Sequence, residues 1–227
     1  MCYNIRKGWV PMELYQYLLN EYGYDEPILT EQLKEELQLN PSTLRQYIKR
    51  LSDKGLLAKV QNGIYFIPKK KPLFGSAVLD TDQIVRKKFL ENGDRIIGYK
   101  SGTNFANALG LTSQTAAVAT IVTNNASAVK REVNIYKKRF IIRKPRVNVN
   151  RSNYKLLQVL DLLNNYEQYS EKPIEVAKEK ILTYLDDVTM NEQEVKEYLN
   201  AYPIKTKLRV YELGLFNAIA RRERVVQ

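Results

Sequence analysis

The sequence predicts an α+β fold laid out in three stretches: three helices closed by a hairpin, a small mixed α/β unit and a helical C-terminal region. Three observations carry this reading. Apolar residues recur at helical spacing up to Lys54, after which Asn62-Gly63 separates two strand-like runs. Between residues 115 and 143, β-branched and aromatic residues gather in short runs. From Ser152 onward the apolar spacing is helical again.

The elements follow in order. Pro11 opens a first helix, with Leu14, Tyr17, Leu18 and Tyr22 at helical spacing and Gly23 at its close. A second helix starts at Thr30, read as its N-cap, and places Leu33 and Leu37 on one face. Asn40-Pro41 supplies the cap and first position of a third helix, which runs to Lys54 with Gly55 just beyond. Leu44, Ile48 and Leu51 bury; Ser42, Thr43, Arg45, Gln46, Lys49 and Arg50 turn outward. The runs 56–61 and 64–67 then form a hairpin on a type I′ turn at Asn62-Gly63, whose two residues would both need positive φ. Helix, short helix, capped helix and hairpin is the layout of a winged helix-turn-helix, and Gln38-Leu-Asn-Pro41 has the length of its turn. Pro68-Lys-Lys-Lys-Pro72 reads as a linker, so the chain divides into 1–72 and 73–227.

In the second part, a helix is expected over 82–91, stopped by Asn92-Gly93, and a short one over 103–109, ended by Gly110. A buried strand is expected over 115–122, and a hairpin pairs 133–135 with 140–143. Residues 151–227 are helical, with helices over 154–164, 173–186, 191–201 and 206–222.

Composition narrows the chemistry. One cysteine, Cys2, excludes an intramolecular disulfide and thiolate metal clusters, and the absence of histidine removes the commonest general base and zinc ligand. No catalytic residue, metal or cofactor is expected. No apolar run approaches the roughly 20 residues of a membrane helix, and the first ten residues lack a signal core, so the expected setting is the cytoplasm, away from membranes. Lys+Arg 36 against Asp+Glu 25 points to a polyanionic partner. The excess is uneven: net +3 over 1–72, +8 over 73–150 and zero over 151–227.

A helix in the major groove needs side chains that read base edges near its N-terminus, with Arg suited to guanine and Gln to adenine. Arg45 and Gln46 meet that need; Ser42 and Thr43 stand where hydroxyls and amides meet a phosphate, and Lys49 and Arg50 reach farther along. The hairpin adds Lys59 and Asn62, followed by Lys69, Lys70 and Lys71, as contacts to flanking phosphates of double-stranded DNA. The alternative is a solvated face in a protein-docking domain. Gly75-Ser-Ala-Val-Leu-Asp80-Thr-Asp82 invites comparison with the Gly-Ser and paired carboxylates of a nucleotidyltransferase, but only three residues separate the two halves. Asp80 to Asp82 reads instead as a helix N-terminus.

Gly98-Tyr-Lys-Ser-Gly-Thr-Asn-Phe-Ala-Asn-Ala-Leu-Gly-Leu-Thr-Ser-Gln114, Val122-Thr-Asn-Asn-Ala-Ser127 and Phe140-Ile-Ile-Arg-Lys-Pro-Arg146, in that order behind the winged-helix layout, resemble the AbiEi family of type IV antitoxins. The likeness covers residues 1 to about 165. It implies a type IV antitoxin that counters a nucleotidyltransferase-like toxin without a stable complex and represses its own operon by binding inverted repeats in the operator. The N-terminal module would bind DNA, and the part from about residue 75 onward would carry the antitoxin activity. Within the matching segments Gly98, Gly102 and Gly110 read as turn and stop residues, and Asn124-Asn125 as a turn whose side chains bond the backbone. Arg131, Lys137, Lys138, Arg139, Arg143, Lys144 and Arg146 would form a second basic surface if their strands carry them on one side. A regulator unrelated to a toxin and a nucleic-acid-modifying enzyme are the rival readings. Oligomeric state is left open.

Overall fold

The computed structural model describes residues 11–69 and 78–221. The fold is mixed α+β, and the chain forms two compact units, Met1–Lys87 and Lys88–Gln227. The expected readings of the first ten residues and of the 70–72 end of the proline-bracketed linker lie outside the described residues, as do Gly75 and Ser76.

In the first unit the helices are α1 (Pro11–Glu21), α2 (Thr30–Leu37) and α3 (Pro41–Asp53). Strands β1 (Ile28–Leu29), β2 (Ala58–Gln61) and β3 (Ile64–Phe66) form an antiparallel sheet in the order β1-β3-β2. The core is the set of apolar residues that periodicity selects: Leu14 and Leu18 of α1, Leu33 and Leu37 of α2, and Leu44, Ile48 and Leu51 of α3, with Leu57 and Ile67. Burying each such side chain contributes about 2 kcal/mol.

Two local details differ from the sequence expectation. Thr30 is the first residue of α2 rather than its cap; Leu29 holds the cap position in β1, and the Thr30 hydroxyl lies 3.4 Å from the Gly63 carbonyl. Pairing of Ile28 and Leu29 with β3 takes up the backbone that a capping turn would have used. At the hairpin tip only Gly63 has positive φ, at +80°, so the turn is not type I′. Val60 is an extra residue between Lys59↔Tyr65 and Gln61↔Ile64, and this bulge re-aims the strand end.

The first unit extends past Pro72 to take in α4 (Thr81–Val85), which Asp80 caps through a 3.1 Å bond from the Asp82 amide. Helical structure continues as a π-helical turn over Arg86–Leu90. Lys87 closes the first unit, and its ammonium lies 4.2 Å from the centre of the Tyr22 ring. Asn92-Gly93 is not a simple stop: it turns a hairpin between β4 (Glu91–Asn92) and β5 (Arg95–Ile96).

The second unit is built on a four-stranded sheet of order β6-β7-β9-β8, from β6 (Gly98–Ser101), β7 (Ala119–Thr123), β8 (Lys130–Ile135) and β9 (Lys138–Arg143). β7 pairs with β9 in parallel and with β6 antiparallel. α5 (Thr103–Ala108) lies in the connection from β6 to its antiparallel neighbour β7. The expected strand over 115–122 is therefore shorter and shifted, and the β8–β9 hairpin is longer, with its turn reduced to Tyr136-Lys137. Gly98 serves close packing rather than a turn: a Cβ there would stand 2.1 Å from the Phe89 carbonyl and 2.6 Å from that of Val122. Asn124 does more than turn the chain. Its amide accepts from the Val149 N–H at 2.9 Å and donates to the Val149 carbonyl at 2.8 Å, copying a strand pair across the loop.

Six helices complete the unit: α6 (Tyr154–Asn164), α7 (Tyr166–Tyr169), α8 (Ile174–Tyr184), α9 (Glu192–Asn200), α10 (Ile204–Glu212) and α11 (Leu215–Arg221). Nearly every residue of α6 is buried, so it is the central helix, with the Tyr99 and Val122 side of the sheet in the same apolar cluster. The single helix expected over 206–222 breaks at Gly214, whose φ is +68°. No helix among the described residues is long and apolar enough to cross a membrane.

Candidate nucleic-acid interface

Helix α3 is fixed at its start by chemistry written in Asn40-Pro41-Ser42. The Asn40 Oδ1 accepts from the Ser42 amide at 2.9 Å and from the Ser42 hydroxyl at 2.6 Å, while Pro41 occupies a position with no amide to satisfy. Ser42 is thereby part of the cap. Gln38, at φ +49°, turns the chain from α2 into this start.

With Leu44, Ile48 and Leu51 anchored in the core, the exposed side of α3 splits into two rows. Arg45, Lys49 and Ser52 fall at i, i+4 and i+7 and face the β2–β3 hairpin; Gln46 and Arg50 lie on the next row, and Thr43 is half-buried. Between α3 and the hairpin lies an open cleft of about 480 Å³. Arg45, Lys49 and Ser52 line one wall, and Lys59, Asn62 and Tyr65 the other. Thr30 and Gly63 close the end of it through the contact that ties α2 to the hairpin tip. The cleft brings together four residues that the sequence singles out, Arg45, Lys49, Lys59 and Asn62. Gln46 and Arg50 stay outside its lining, and Lys69 is exposed, its backbone amide donating to Asp25 at 3.1 Å. Lys70 and Lys71 lie outside the described residues.

Two cleft residues escape the sequence reading. The Ser52 hydroxyl is buried and has no hydrogen-bond partner among the described residues, and Ser52 lines the cleft beside Arg45, Lys49 and Lys59. Tyr65 alternates with buried Ile64 and Phe66, which aims its phenol at the cleft; burial pushes its pKa up, so it stays a donor. The i+7 spacing from Arg45 and the strand alternation were the signals that could have found them.

Charge is sorted along this unit. Residues 11–40 carry seven Asp or Glu and a single cation, Lys34, whereas residues 41–69 carry six Lys or Arg and a single acid, Asp53. On the acidic side Glu36 accepts from the Tyr22 hydroxyl at 2.8 Å and from that of Tyr17 at 3.4 Å. Burial, and then the Glu36 carboxylate, raises the Tyr17 phenol to about 12.

The second basic group behaves otherwise. Residues paired across β8 and β9 share a face, so Arg139 and Arg143 stand with Asn134 and Lys130 on one side, while Arg131 and Lys138 stand with Ile142 and Ile135 on the other. Lys137 sits in the turn, and Lys144 continues the ladder through its amide to the Val129 carbonyl at 3.0 Å. The single basic face does not form, because strand alternation sends neighbouring cations apart. Arg146 donates to the Ala201 carbonyl at 3.3 Å and lies 5.3 Å from the centre of the Tyr202 ring. With Arg143 it acts on Asp161, a carboxylate only 4% exposed that accepts from the Tyr99 hydroxyl at 3.1 Å and lies near Tyr202, whose hydroxyl donates to the Leu157 carbonyl at 3.3 Å. Burial raises the Asp161 pKa, and Arg143, the two phenols and Arg146 oppose that rise. Both arginines thus act electrostatically on a carboxylate inside the unit.

Among the described residues no group of three or more acidic or cysteine side chains is placed to hold a metal ion. Asp80, one of the acids that invited the nucleotidyltransferase comparison, is occupied in capping α4. No curated protein matches the chain. The family of unknown function DUF6088 matches residues 35–192, from the second half of α2 to the start of α9, which takes in α3, the cleft lining except Thr30, and the whole four-stranded sheet. With more than two thirds of its length inside that match, the chain belongs to DUF6088.

Proposed function

We propose that the first unit is a winged helix-turn-helix that binds double-stranded DNA, with α3 as the recognition helix and the β2–β3 hairpin as the wing. The observation that carries this reading is the cleft: Arg45 and Lys49 from the helix and Lys59 and Asn62 from the hairpin converge beside the unpartnered Ser52 hydroxyl, while seven of the unit's ten acids lie in the stretch before α3. Cations on the two walls of one cleft suit a sugar–phosphate strand passing between them, and the outer row of Gln46 and Arg50 suits base edges. The salt-dependent affinity comes from the cleft, and the sequence preference from Arg45 and Gln46 at the helix start.

The resemblance to the AbiEi antitoxins supports a wider role, in which the chain represses its own operon and the second unit counters a nucleotidyltransferase-like toxin, without catalysis and without a stable complex. Arg45→Ala with Gln46→Ala should abolish preference for the chain's own upstream DNA in a mobility-shift assay while leaving weak, salt-sensitive binding. Unchanged selectivity would remove α3 from the readout. Residues 75–227, produced alone, should still protect cells expressing a nucleotidyltransferase encoded beside the gene; a folded yet unprotective fragment would end the antitoxin reading.

A further inference from the structure

Helix α10 is apolar on two sides. Its inner side places Thr206 and Val210 in the interior of the second unit, with Leu213 just past its end. Its outer side carries Ile204, Leu208 and Tyr211, which are 74%, 53% and 52% exposed and fall at i, i+4 and i+7, so they form one row along the helix. Single exposed apolar side chains need no explanation, but this row holds three of the eight large apolar side chains exposed among the described residues. Tyr211 is steadied by the Phe216 ring, 5.1 Å away between centres.

The polar residues of α10 are arranged around that row. Arg209 turns inward to the Leu163 carbonyl and Glu167, and Lys207 donates to the Asn200 Oδ1 at 3.0 Å. By the 3.6-residue period, Lys205 and Glu212 lie on the same flank of the row, at its opposite ends. Lys205 is also within electrostatic reach of Glu167.

We propose that the row of Ile204, Leu208 and Tyr211 is the contact face between two copies of this chain, packed as antiparallel α10 helices about a two-fold axis near Leu208. The argument is charge complementarity. That axis brings Lys205 of each copy level with Glu212 of the other, so two opposite-charge pairs border an apolar seam. A parallel pair would instead turn that flank toward Lys207 of the other copy. Three side chains per copy fall well short of the roughly 800 Å² per partner of a stable interface, so the dimer is weak and depends on concentration.

Sedimentation equilibrium of the full chain at low salt, up to about 1 mM protein, tests the proposal. The weight-average mass should climb from 26.4 kDa toward that of two chains. Leu208→Asp should flatten the climb without changing the melting curve, because its side chain is half exposed. Lys205→Glu should weaken association about five-fold, and adding Glu212→Lys should restore it, because the exchange rebuilds both pairs. A mass that stays at one chain throughout, or a charge exchange that fails to restore association, overturns the proposal and leaves the row to a different protein.

Discussion

In the first unit, cations from a helix and a hairpin line one cleft, and seven of the ten acids lie before α3. In the second unit, the β8–β9 hairpin carries six cations against the three of the cleft, yet register divides them between two faces, and Arg143 with Arg146 acts on a buried carboxylate. Residues 73–150 hold most of the excess charge, so composition alone would have placed the anion-binding surface there. Helical spacing of i, i+4 and i+7 keeps Arg45, Lys49 and Ser52 together, whereas a period of two separates Lys138 from Arg139. Density of charge along the chain is therefore a poor guide to a charged surface, because the period of the element that carries it decides which cations meet.

The contrast can be broken at its strongest point in the second unit. Asp161→Ala should destabilise the chain by about 3 kcal/mol in urea unfolding, because it leaves the Tyr99 hydroxyl without its acceptor and Arg143 and Arg146 without a counter-charge. A loss near zero would mean that the two arginines are free for an outside ligand. Burial raises the Asp161 pKa above 3.8, so the folded state binds this proton more tightly than the unfolded state. Its contribution therefore favours folding on the acid side and is lost as pH rises through the raised value; Asp161→Asn should remove that slope.

The proposed DNA binding sharpens the same contrast. Arg45→Ala should cost about 2 kcal/mol of specific binding, and Lys49→Ala should lower the slope of log affinity against log salt by about one, while Arg131→Ala with Lys138→Ala should change neither. Equal effects from the two pairs, measured by fluorescence anisotropy, would return the β8–β9 hairpin to the interface. Asn40→Ala should cost about 1 kcal/mol in thermal unfolding by removing the acceptor that caps α3. The smallest effect belongs to an exposed pair: Glu192→Gln should cost about 0.4 kcal/mol by breaking its 3.6 Å contact with Lys196.

Local chemistry was enough to place α1, α3, the hairpin at Asn62-Gly63, the helix N-terminus at Asp80 to Asp82 and the limits of α6, because caps, breakers and periodicity act within a few residues of each other. Four members of the cleft were legible for the same reason: an outward helix face and a hairpin tip are local facts. Pairing across the fold decided the rest. β1 took the backbone that Thr30 was expected to cap, β7 found a parallel partner in β9, and strand register dispersed the second basic group. Ser52 and Tyr65 gained significance only when helix and hairpin closed on one another, and Asp161 only when two strands' worth of distant sequence enclosed it. A hydrogen bond to the next turn is determined by the residues beside it, but a neighbour sixty positions away along the chain is set by which surfaces must leave water together.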